Sequence, residues 1–430
     1  IHALYLGIPS TMRHADYQDL SVSVQDLEIG MRVVALDRPW EETTFLLQGF
    51  VIASTDDIRE LQRQCQTVTV QVKIDVSPAS KQRTTASHGP APPTPRPAKT
   101  GPASTRRVNY INQVGFERAV EASRLTFDSA RSMATSIMDG LRVGRSLEVT
   151  ECRDVVDKVV DSILANKDAL RFLSMIKHKD SYTAEHSMNV CILSATFARH
   201  LGLMEAEIRD VALCGLLHDV GKSRIPADIL NKPGRFTREE AYIMAEHPTH
   251  GRNILMSASA EFKHAIDVAH SHHERIDGKG YPRGLRQQQI SYYAKIVALA
   301  DAYDAMTSER CYGTVKTSEQ ALKSILRERG THFDSDLSKA FITCIGFYPT
   351  GSLVQLSGGQ VAMVLEPNPD DFARPRIRVL TDARQHPLPA PHELDLADPT
   401  NQSVTIRSEV LNGTAGVDIN TAVKRELSLL

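Results

Sequence analysis

The sequence predicts a mainly α-helical protein, in which an all-helical bundle lies between a small β-rich domain and a short C-terminal β hairpin. From about residue 112, apolar residues recur three and four positions apart, as they do in helices. The stretch VTVQVKI, from Val68 to Ile74, alternates apolar and polar residues like a half-buried strand. Near the C-terminus, two apolar runs flank Gly358-Gly359, which is typical of a hairpin.

These patterns divide the chain into a series of segments. We expect a β-rich N-terminal domain at 1–76, a proline-rich linker at 77–111, connecting helices at 112–177, a helical domain at 178–348, a β-hairpin extension at 349–384 and an irregular tail at 385–430. Residues 77–105 hold seven of the 21 prolines and no Asp or Glu, so they can bury little apolar surface. Trp40, the only tryptophan, is expected in the core of the first domain.

The connecting helices carry apolar stripes at helical spacing. The residues that form them are Ala130, Met133, Ile137 and Leu141 in one segment and Val155, Val159 and Ile163 in the next. Such stripes could bury against the bundle, form a dimer or transmit a signal from the first domain. Packing against the bundle is the simplest of these three roles.

The composition excludes several classes of protein. A hydrophobic content of 41%, a charged content of 24% and a net charge of −2 are typical of soluble globular proteins, and a general nucleic-acid binder would be more basic. No apolar run approaches the ~18 residues that span a bilayer, and we find no signal peptide. The six cysteines are scattered without a CxxC pair, which favours free thiols and a cytoplasmic location.

Histidine is concentrated in one window, because ten of the sixteen lie between His178 and His273. An aspartate between Ala300 and Ala302, in an apolar helix, is costly to bury unless it is paired or bound to a metal. Helical bundles build metal sites from such inward-facing residues on several helices. The candidate metal ligands are His186, His218, Asp219, His247, His272, His273 and Asp301.

The other histidines of this window are expected to be structural or exposed to solvent. They are His178, His200, His250, His264 and His270, of which His250 and His270 are candidates for contacts behind the ligands. Pro248 is expected to break a helix directly after His247.

Seven ligands are too many for one ion, whereas two ions that share a carboxylate would use them all. Asp219 is the natural bridge, because a carboxylate offers two oxygens and a neutral imidazole offers one free nitrogen. Nitrogen and oxygen donors without thiolate favour iron or manganese, with nickel, cobalt, zinc or magnesium as alternatives, and argue against structural zinc. Two ions roughly 3.5–4 Å apart would activate a hydroxide for phosphate-ester hydrolysis, with Asp219 as a catalytic residue.

Four motifs, HDVGK, HPTHG, HHERIDGKGYP and IVALADAYDAMTSERCY, occur in this order between residues 170 and 348. In this region the chain resembles the HD-GYP phosphodiesterases, a branch of the HD superfamily of metal-dependent phosphohydrolases. Residues 21–74, with DLEIGMRVVALDRPW and FLLQGF, also resemble the small domain of unknown function that often precedes them. The resemblance implies an HD-type helical bundle that hydrolyses cyclic di-GMP to pGpG and onward to GMP.

The resemblance also implies roles for individual residues. The seven candidate ligands fall on the metal positions of the family. Lys222, Asp304 and Arg310 fall on positions that contact the substrate, and Lys222 is further implied as the catalytic proton donor to the leaving oxygen. The motif loop, Gly280, Tyr281 and Pro282, would either shape a turn or dock diguanylate cyclase domains.

Two departures from the family pattern affect these expectations. Members with three metals carry a glutamate four residues before the first ligand, where this chain has Tyr182, so we predict two divalent ions. The family often has Lys or Arg three residues after Arg310, where this chain has Gly313. Lys316 is a candidate substitute for that lost contact.

Three other functions remain alternatives. The chain could be a non-catalytic cyclic di-GMP receptor that docks partners through the loop around Tyr281, but its ligand set is intact. It could act on another cyclic dinucleotide, against which the Gly-Tyr-Pro turn counts, or it could be mainly a scaffold. A diguanylate cyclase domain and a second copy in a homodimer are candidate partners, and we expect neither DNA nor RNA to bind.

Overall fold

The computed structural model describes residues 17–37, 50–52, 55–73, 107–175, 182–308, 315–368 and 371–429. Within these ranges the chain forms a small N-terminal sheet, a large set of packed helices and a C-terminal sheet, which confirms the predicted fold class. Across the same ranges we find no helix with the length and apolarity needed to cross a membrane. Trp40 and the linker at 77–105 lie outside the described residues.

The N-terminal sheet is antiparallel, with strand order β1-β4-β2-β3. Its elements are β1 (Tyr17–Ser23), β2 (Arg32–Leu36), β3 (Phe50–Val51), α1 (Thr55–Gln64) and β4 (Thr67–Lys73). The alternation in VTVQVKI is confirmed, because Val68 and Val70 of β4 are buried. Helix α1 was not expected, since Ile58 and Leu61 alone give a weak helical pattern, yet Leu61 is fully buried in the core of this sheet.

The bundle contains the helices that follow the linker. They are α2 (Phe116–Arg142), α3 (Val149–Ala165), α4 (Ala169–Leu173), α5 (Tyr182–His200), α6 (Glu205–Leu217), α7 (Ala227–Leu230), α8 (Arg238–Met244), α9 (His247–Ala258), α10 (Lys263–Ser271), α11 (Tyr292–Thr307), α12 (Ser318–Arg327) and α13 (Ser335–Ile345). The predicted stripes of α2 and α3 are buried in the core shared with α5 and α6. Packing against the bundle is therefore what these stripes do.

Helices α5, α6 and α11 occupy the centre of the bundle. Almost every residue of α11 is buried, including Asp301 and Asp304, because the helix is apolar on all sides. His186 of α5 is also buried. Polar side chains on these helices therefore need partners inside the protein.

The C-terminal sheet extends the predicted hairpin. Strands β5 (Leu353–Leu356) and β6 (Val361–Glu366) pair antiparallel around Gly358-Gly359, as predicted. The prediction of an irregular tail at 385–430 is wrong, because this region forms β8 and β9 of a five-stranded sheet and a helix. The further elements are β7 (Arg376–Thr381), β8 (Pro387–Asp395), β9 (Ile406–Val410) and α14 (Ile419–Leu429), with strand order β8-β7-β6-β5-β9.

The sequence of β8, PLPAPHELD, shows why it was missed. The strand lies at the edge of the sheet and is mostly exposed, so it lacks an alternating apolar pattern. Proline is tolerated at such an edge, where one side of the backbone makes no ladder hydrogen bonds. Composition alone therefore made this stretch resemble a loop.

Both faces of the C-terminal sheet are buried. Along β6, Val361 and Met363 face the core of the bundle, whereas Ala362 and Val364 face a second, smaller core. A carboxylate oxygen of Glu409 on β9 accepts a hydrogen bond of 2.9 Å from the backbone amide of Glu319, at the start of α12. The C-terminal sheet and the bundle therefore share a core, while the N-terminal sheet has its own.

Candidate metal centre

The ends of four helices and the middle of a fifth bring the predicted ligands together. His186 lies in the first turns of α5, His218 and Asp219 follow α6, His247 begins α9, His272 and His273 follow α10, and Asp301 lies within α11. Each of the seven side chains is buried. Residues that are far apart in the sequence thus form a single polar cluster inside an otherwise apolar bundle.

Pro248 has a different role from the one predicted. It does not break a helix behind His247 but occupies the first turn of α9, which begins at His247. Proline is favoured there because the amides of a first turn have no partner within the helix. The proline therefore helps to start the helix that presents His247.

The cluster consists of two groups of potential ligand atoms. The four-residue group is Asp219, His247, His272 and His273, and the three-residue group is His186, His218 and Asp301. Within each group, one ligand atom from every residue lies within 4.8 Å of the others. This spacing suits one cation in each group.

Asp219 lies between the two groups. Its Oδ1 is 3.3 Å from His247 Nε2 and 3.6 Å from His272 Nε2, both in the four-residue group. Its Oδ2 is 3.2 Å from His218 Nε2 and 3.4 Å from His186 Nε2, both in the three-residue group. The carboxylate therefore has the position that a bridge between two cations requires.

Hydrogen bonds on the outer side of the rings orient four of the imidazoles. Nδ1 of His218, His247 and His272 donates to the backbone carbonyl oxygens of Gly215 (2.8 Å), Met244 (2.7 Å) and Ala269 (3.0 Å). Nδ1 of His186 is 2.7 Å from a carboxylate oxygen of Asp304. These bonds turn each Nε2 towards the cluster, as second-shell partners do around metal sites.

Two atoms inside the cluster test whether a metal would fit. His218 Nε2 and Asp219 Oδ1 are buried and have no hydrogen-bond partner among the residues that the structure describes. Buried polar atoms without partners are rare, because leaving them unsatisfied costs roughly 1–3 kcal/mol each. A divalent cation would satisfy both atoms, so the donor set fits a metal.

Charge is unevenly distributed across the cluster. Burial alone would lower the pKa of His186, but its contacts with Asp219, Asp301 and Asp304 outweigh burial and raise the pKa to about 10. In the four-residue group, burial lowers the pKa of His247 to about 4 and that of His273 well below its usual value. Burial would raise the pKa of Asp219, yet Lys222 and the nearby imidazoles hold it well below the usual range.

Lys222 lies beside the bridging carboxylate. Its side chain is buried, and Nζ contacts Oδ2 of Asp219. The lysine lies in the short 3-10 turn Val220–Arg224, one turn after His218-Asp219. Gly221 lets this turn lie against α9, because a Cβ there would collide with the carbonyl oxygen of His247. Sequence reasoning did not single out Gly221, although its place inside HDVGK could have suggested a close approach.

Asp304 differs from the substrate-contacting role that the resemblance implies. Its carboxylate is buried, with Oδ2 on His186 and Oδ1 accepting from Asn189 Nδ2 at 2.9 Å and from Ser308 Oγ at 3.0 Å. The carboxylate therefore lies behind a candidate ligand. Asn189 was missed, although its position three residues after His186 places both on the same face of α5.

The other predicted substrate contacts are only partly described. Arg310 and Gly313 lie outside the described residues. Lys316 directs its Nζ towards Ser324 Oγ of α12, at 3.0 Å, and towards the sulfur of Met306. This ammonium group is therefore held by α12, which does not favour a substitute role at the position of Gly313.

The motif loop folds back onto the ligand pair. The ring of Tyr281 is buried and stacks on His273, and the carboxylate of Glu274 accepts the backbone amides of Arg283 and Leu285. Pro282 is half-buried. Glu274 is thus a clamp on the loop and not a solvated helix end.

The remaining histidines of the window lie outside both groups. His250 and His264 form contacts of 3.7 Å with Glu246 and Asp210, and His270 is half-buried. His178 and His200 are absent from the two groups as well, although His178 lies outside the described residues.

Comparison with known families assigns all three parts of the chain. Residues 171–337 match a family model described as HD domain, residues 20–152 match a domain of unknown function (DUF3391), and residues 353–410 match a KOW domain associated with HD domain. The last match covers most of the C-terminal sheet.

Curated relatives match both the whole chain and the helical domain. The cyclic di-GMP phosphodiesterase PA4108 of Pseudomonas aeruginosa is 34% identical over 374 residues, which cover 87% of each chain. A cyclic di-GMP phosphodiesterase of Thermotoga maritima is 38% identical over 177 residues, or 41% of this chain and 48% of the relative. The 3′3′-cGAMP-specific phosphodiesterase 2 of Vibrio cholerae is 34% identical over 163 residues, or 38% of this chain and 31% of the relative.

Proposed function

The chain belongs to the HD-GYP family of phosphodiesterases, and on that premise we propose that it hydrolyses cyclic di-GMP at the buried cluster. The observation that carries this proposal is the position of Asp219, whose two oxygens face two separate ligand groups. Two cation sites that share a carboxylate are suited to hydrolysing phosphate esters. The match to a cyclic di-GMP phosphodiesterase along most of the chain supports the choice of substrate.

Each ligand group would hold one divalent ion, with Asp219 contributing to both. When bound, two such ions supply Lewis acidity, which lowers the pKa of water and neutralises charge on phosphate oxygens. The donor set favours iron or manganese, with nickel, cobalt, zinc and magnesium as alternatives, because it contains nitrogen and oxygen but no thiolate. Tyr182, at the position of the glutamate in members with three metals, supports a count of two.

Lys222 is proposed to donate a proton to the departing 3′ oxygen. Its ammonium group touches Asp219 and is buried, so it can act close to the scissile bond with little competition from bulk water. Asp304 is proposed to hold His186 in place, because its carboxylate is already bonded to that ring. Arg310 stays a predicted contact to phosphate or guanine.

The reaction is proposed to give pGpG first and GMP from a second hydrolysis. Protein purified without chelator would be incubated with cyclic di-GMP, and the products separated by chromatography, for wild type and Asp219→Ala. We expect pGpG, followed by GMP, from wild type only. Tight binding of cyclic di-GMP without products, after reconstitution with iron or manganese, would contradict the proposal and indicate a receptor.

A second candidate substrate is 3′3′-cGAMP, because one of the similar Vibrio proteins is named for it. Both dinucleotides present two phosphodiesters to the same centre and differ in one base. Parallel assays with equal concentrations of the two would separate them. A higher kcat/KM for 3′3′-cGAMP would replace the proposed substrate while leaving the metal centre in place.

The remaining expectations about partners stay predictions. Docking of a diguanylate cyclase domain, a homodimer and a cytoplasmic location rest on the sequence alone. Burial of Tyr281 counts against docking through its ring, because the side chain is only 5% exposed. A partner would instead meet the exposed Lys279 and the half-exposed Arg283 of the same loop.

A further inference from the structure

His273 is held differently from the other imidazoles of the cluster. Four rings donate through Nδ1 to a carbonyl or carboxylate oxygen, whereas the described part of the chain gives the His273 ring no hydrogen bond. The ring of Tyr281 stacks on it instead, with centroids 4.8 Å apart and planes inclined by 22°. A nearly parallel aromatic contact of this kind restricts the rotation of an imidazole.

The backbone of the motif loop delivers Tyr281 to this position. A Cβ on Gly280 would collide with the backbone nitrogen of Arg275 and lie 2.6 Å from the carbonyl oxygen of His273, so only glycine lets the turn lie this close. The amide of Tyr281 donates to that same carbonyl oxygen at 3.2 Å. The loop is therefore fastened directly to the residue whose ring it covers.

A second attachment holds the far side of the loop. Glu274, the residue after the ligand pair, accepts the amides of Arg283 at 2.7 Å and Leu285 at 2.8 Å. Attachments before and after Tyr281 leave its ring little freedom to leave His273. The tyrosine therefore acts inside the protein.

We propose that Tyr281 is a positioning residue for His273, and that its stacked ring takes the place of the Nδ1 hydrogen bond that orients each of the other four imidazoles. The inference rests on the metal-binding part of the proposed function. It assigns the Gly-Tyr-Pro turn to one ligand of the four-residue group. The three-residue group does not depend on this turn.

The test compares metal binding, without substrate, in metal-free wild type, Tyr281→Phe and Tyr281→Leu. Each protein would be titrated with Mn²⁺ and the bound ions counted by equilibrium dialysis. We expect two ions in wild type and in Tyr281→Phe, which keeps the ring. In Tyr281→Leu one ion should bind normally and the other about 10–100-fold more weakly, as when a partner behind a ligand is lost.

Tyr293→Leu is a matched control for the loss of a buried tyrosine. Tyr293 is also buried and packs on a histidine, His264, with ring centroids 5.1 Å apart, but that histidine is outside the cluster. We expect this variant to lose thermal stability as Tyr281→Leu does, yet to bind both ions with wild-type affinity. A loss of Mn²⁺ affinity in both variants would show a general effect of destabilisation and overturn the inference.

A double-mutant cycle with His273→Ala separates positioning from general structural support. If Tyr281 acts through His273, adding Tyr281→Leu to His273→Ala should weaken Mn²⁺ binding no further. An equal further loss in that background, or wild-type affinity in Tyr281→Leu, would overturn the inference but leave the metal centre intact. A wild-type protein that binds no Mn²⁺, Fe²⁺ or Co²⁺ would overturn the proposed function and this inference with it.

Discussion

The two ligand groups face each other across Asp219 but differ in charge. The three-residue group combines Asp301 with an oxygen of Asp219, and a third carboxylate, Asp304, lies behind His186. The four-residue group has three imidazoles and a single carboxylate. An ion in the first group would therefore be held largely by negative charge, and an ion in the second mainly by neutral nitrogen donors.

The two groups also differ in what supports them. Side chains of α11 and α5, Asp304 and Asn189, stand behind the three-residue group. Backbone carbonyls and the ring of Tyr281 stand behind the four-residue group. The difference teaches that each group can be weakened separately, and that only Asp219 belongs to both.

The largest effect should therefore come from Asp219→Asn, which keeps the size of the side chain but removes its charge. We expect both ions to be lost and turnover to fall by more than the roughly 10–100-fold typical of residues behind the ligands. Metal analysis and product chromatography on the same sample would check this. A variant that keeps one tightly bound ion would break the view of Asp219 as a shared ligand.

Lys222→Gln should reduce turnover about 100-fold or more, because a lost proton donor typically costs that much. Metal content should stay at the wild-type value, since Lys222 is a neighbour of the ligands and not one of them. A substrate with a p-nitrophenolate leaving group, which needs no proton, should lose much less. Lys232→Gln, which breaks an ion pair with Glu240 away from the cluster, is the control.

Asp304→Asn should lower metal affinity about 10-fold, and only in the three-residue group, because His186 would lose a charged partner. Competition with a chelator would give the two affinities separately. Asp210→Asn is the matched control, since Asp210 pairs with His264 at 3.7 Å, outside the cluster. Unchanged affinities together with a raised KM would instead support the substrate contact that the family resemblance implies.

In the metal-free protein, the two groups should differ in protonation. The raised pKa of His186, about 10, means that its ring keeps a second proton at neutral pH and loses it only as the pH rises towards that value. The lowered pKa values of His247 and His273 mean that these rings stay neutral until the pH falls to about 4 or below. Nitrogen-15 NMR of labelled histidine across pH 5–9 would check both statements.

The ligand set could be predicted because metal binding imposes residue types that are unusual in apolar helices. Asp301 between two alanines and His218-Asp219 at the end of an apolar helix would be costly to bury in a bundle without a metal or a charged partner. The partners behind them could not be predicted, since carbonyl oxygens such as that of Met244 belong to any sequence. Asn189 is an ordinary polar residue until α11 places Asp304 beside it.

The β modules show the same limit on prediction. The alternation of β4 and the glycine pair before β6 are local patterns, and both predictions are confirmed. Strand β8 forms at an edge through backbone pairing with β7, which its proline-containing sequence does not reveal. The shared core of the C-terminal sheet and the bundle depends likewise on tertiary contacts that no local pattern encodes.

The most direct test of the central claim is the number of metal ions per chain that support cyclic di-GMP hydrolysis. Metal-free protein would be reconstituted stepwise with Fe²⁺ or Mn²⁺ under anaerobic conditions, and turnover measured at each ratio. We predict that turnover rises until two ions are bound per chain and then stays constant. Full turnover at one ion, a requirement for a third, or turnover that survives complete metal removal would contradict the two-group centre bridged by Asp219.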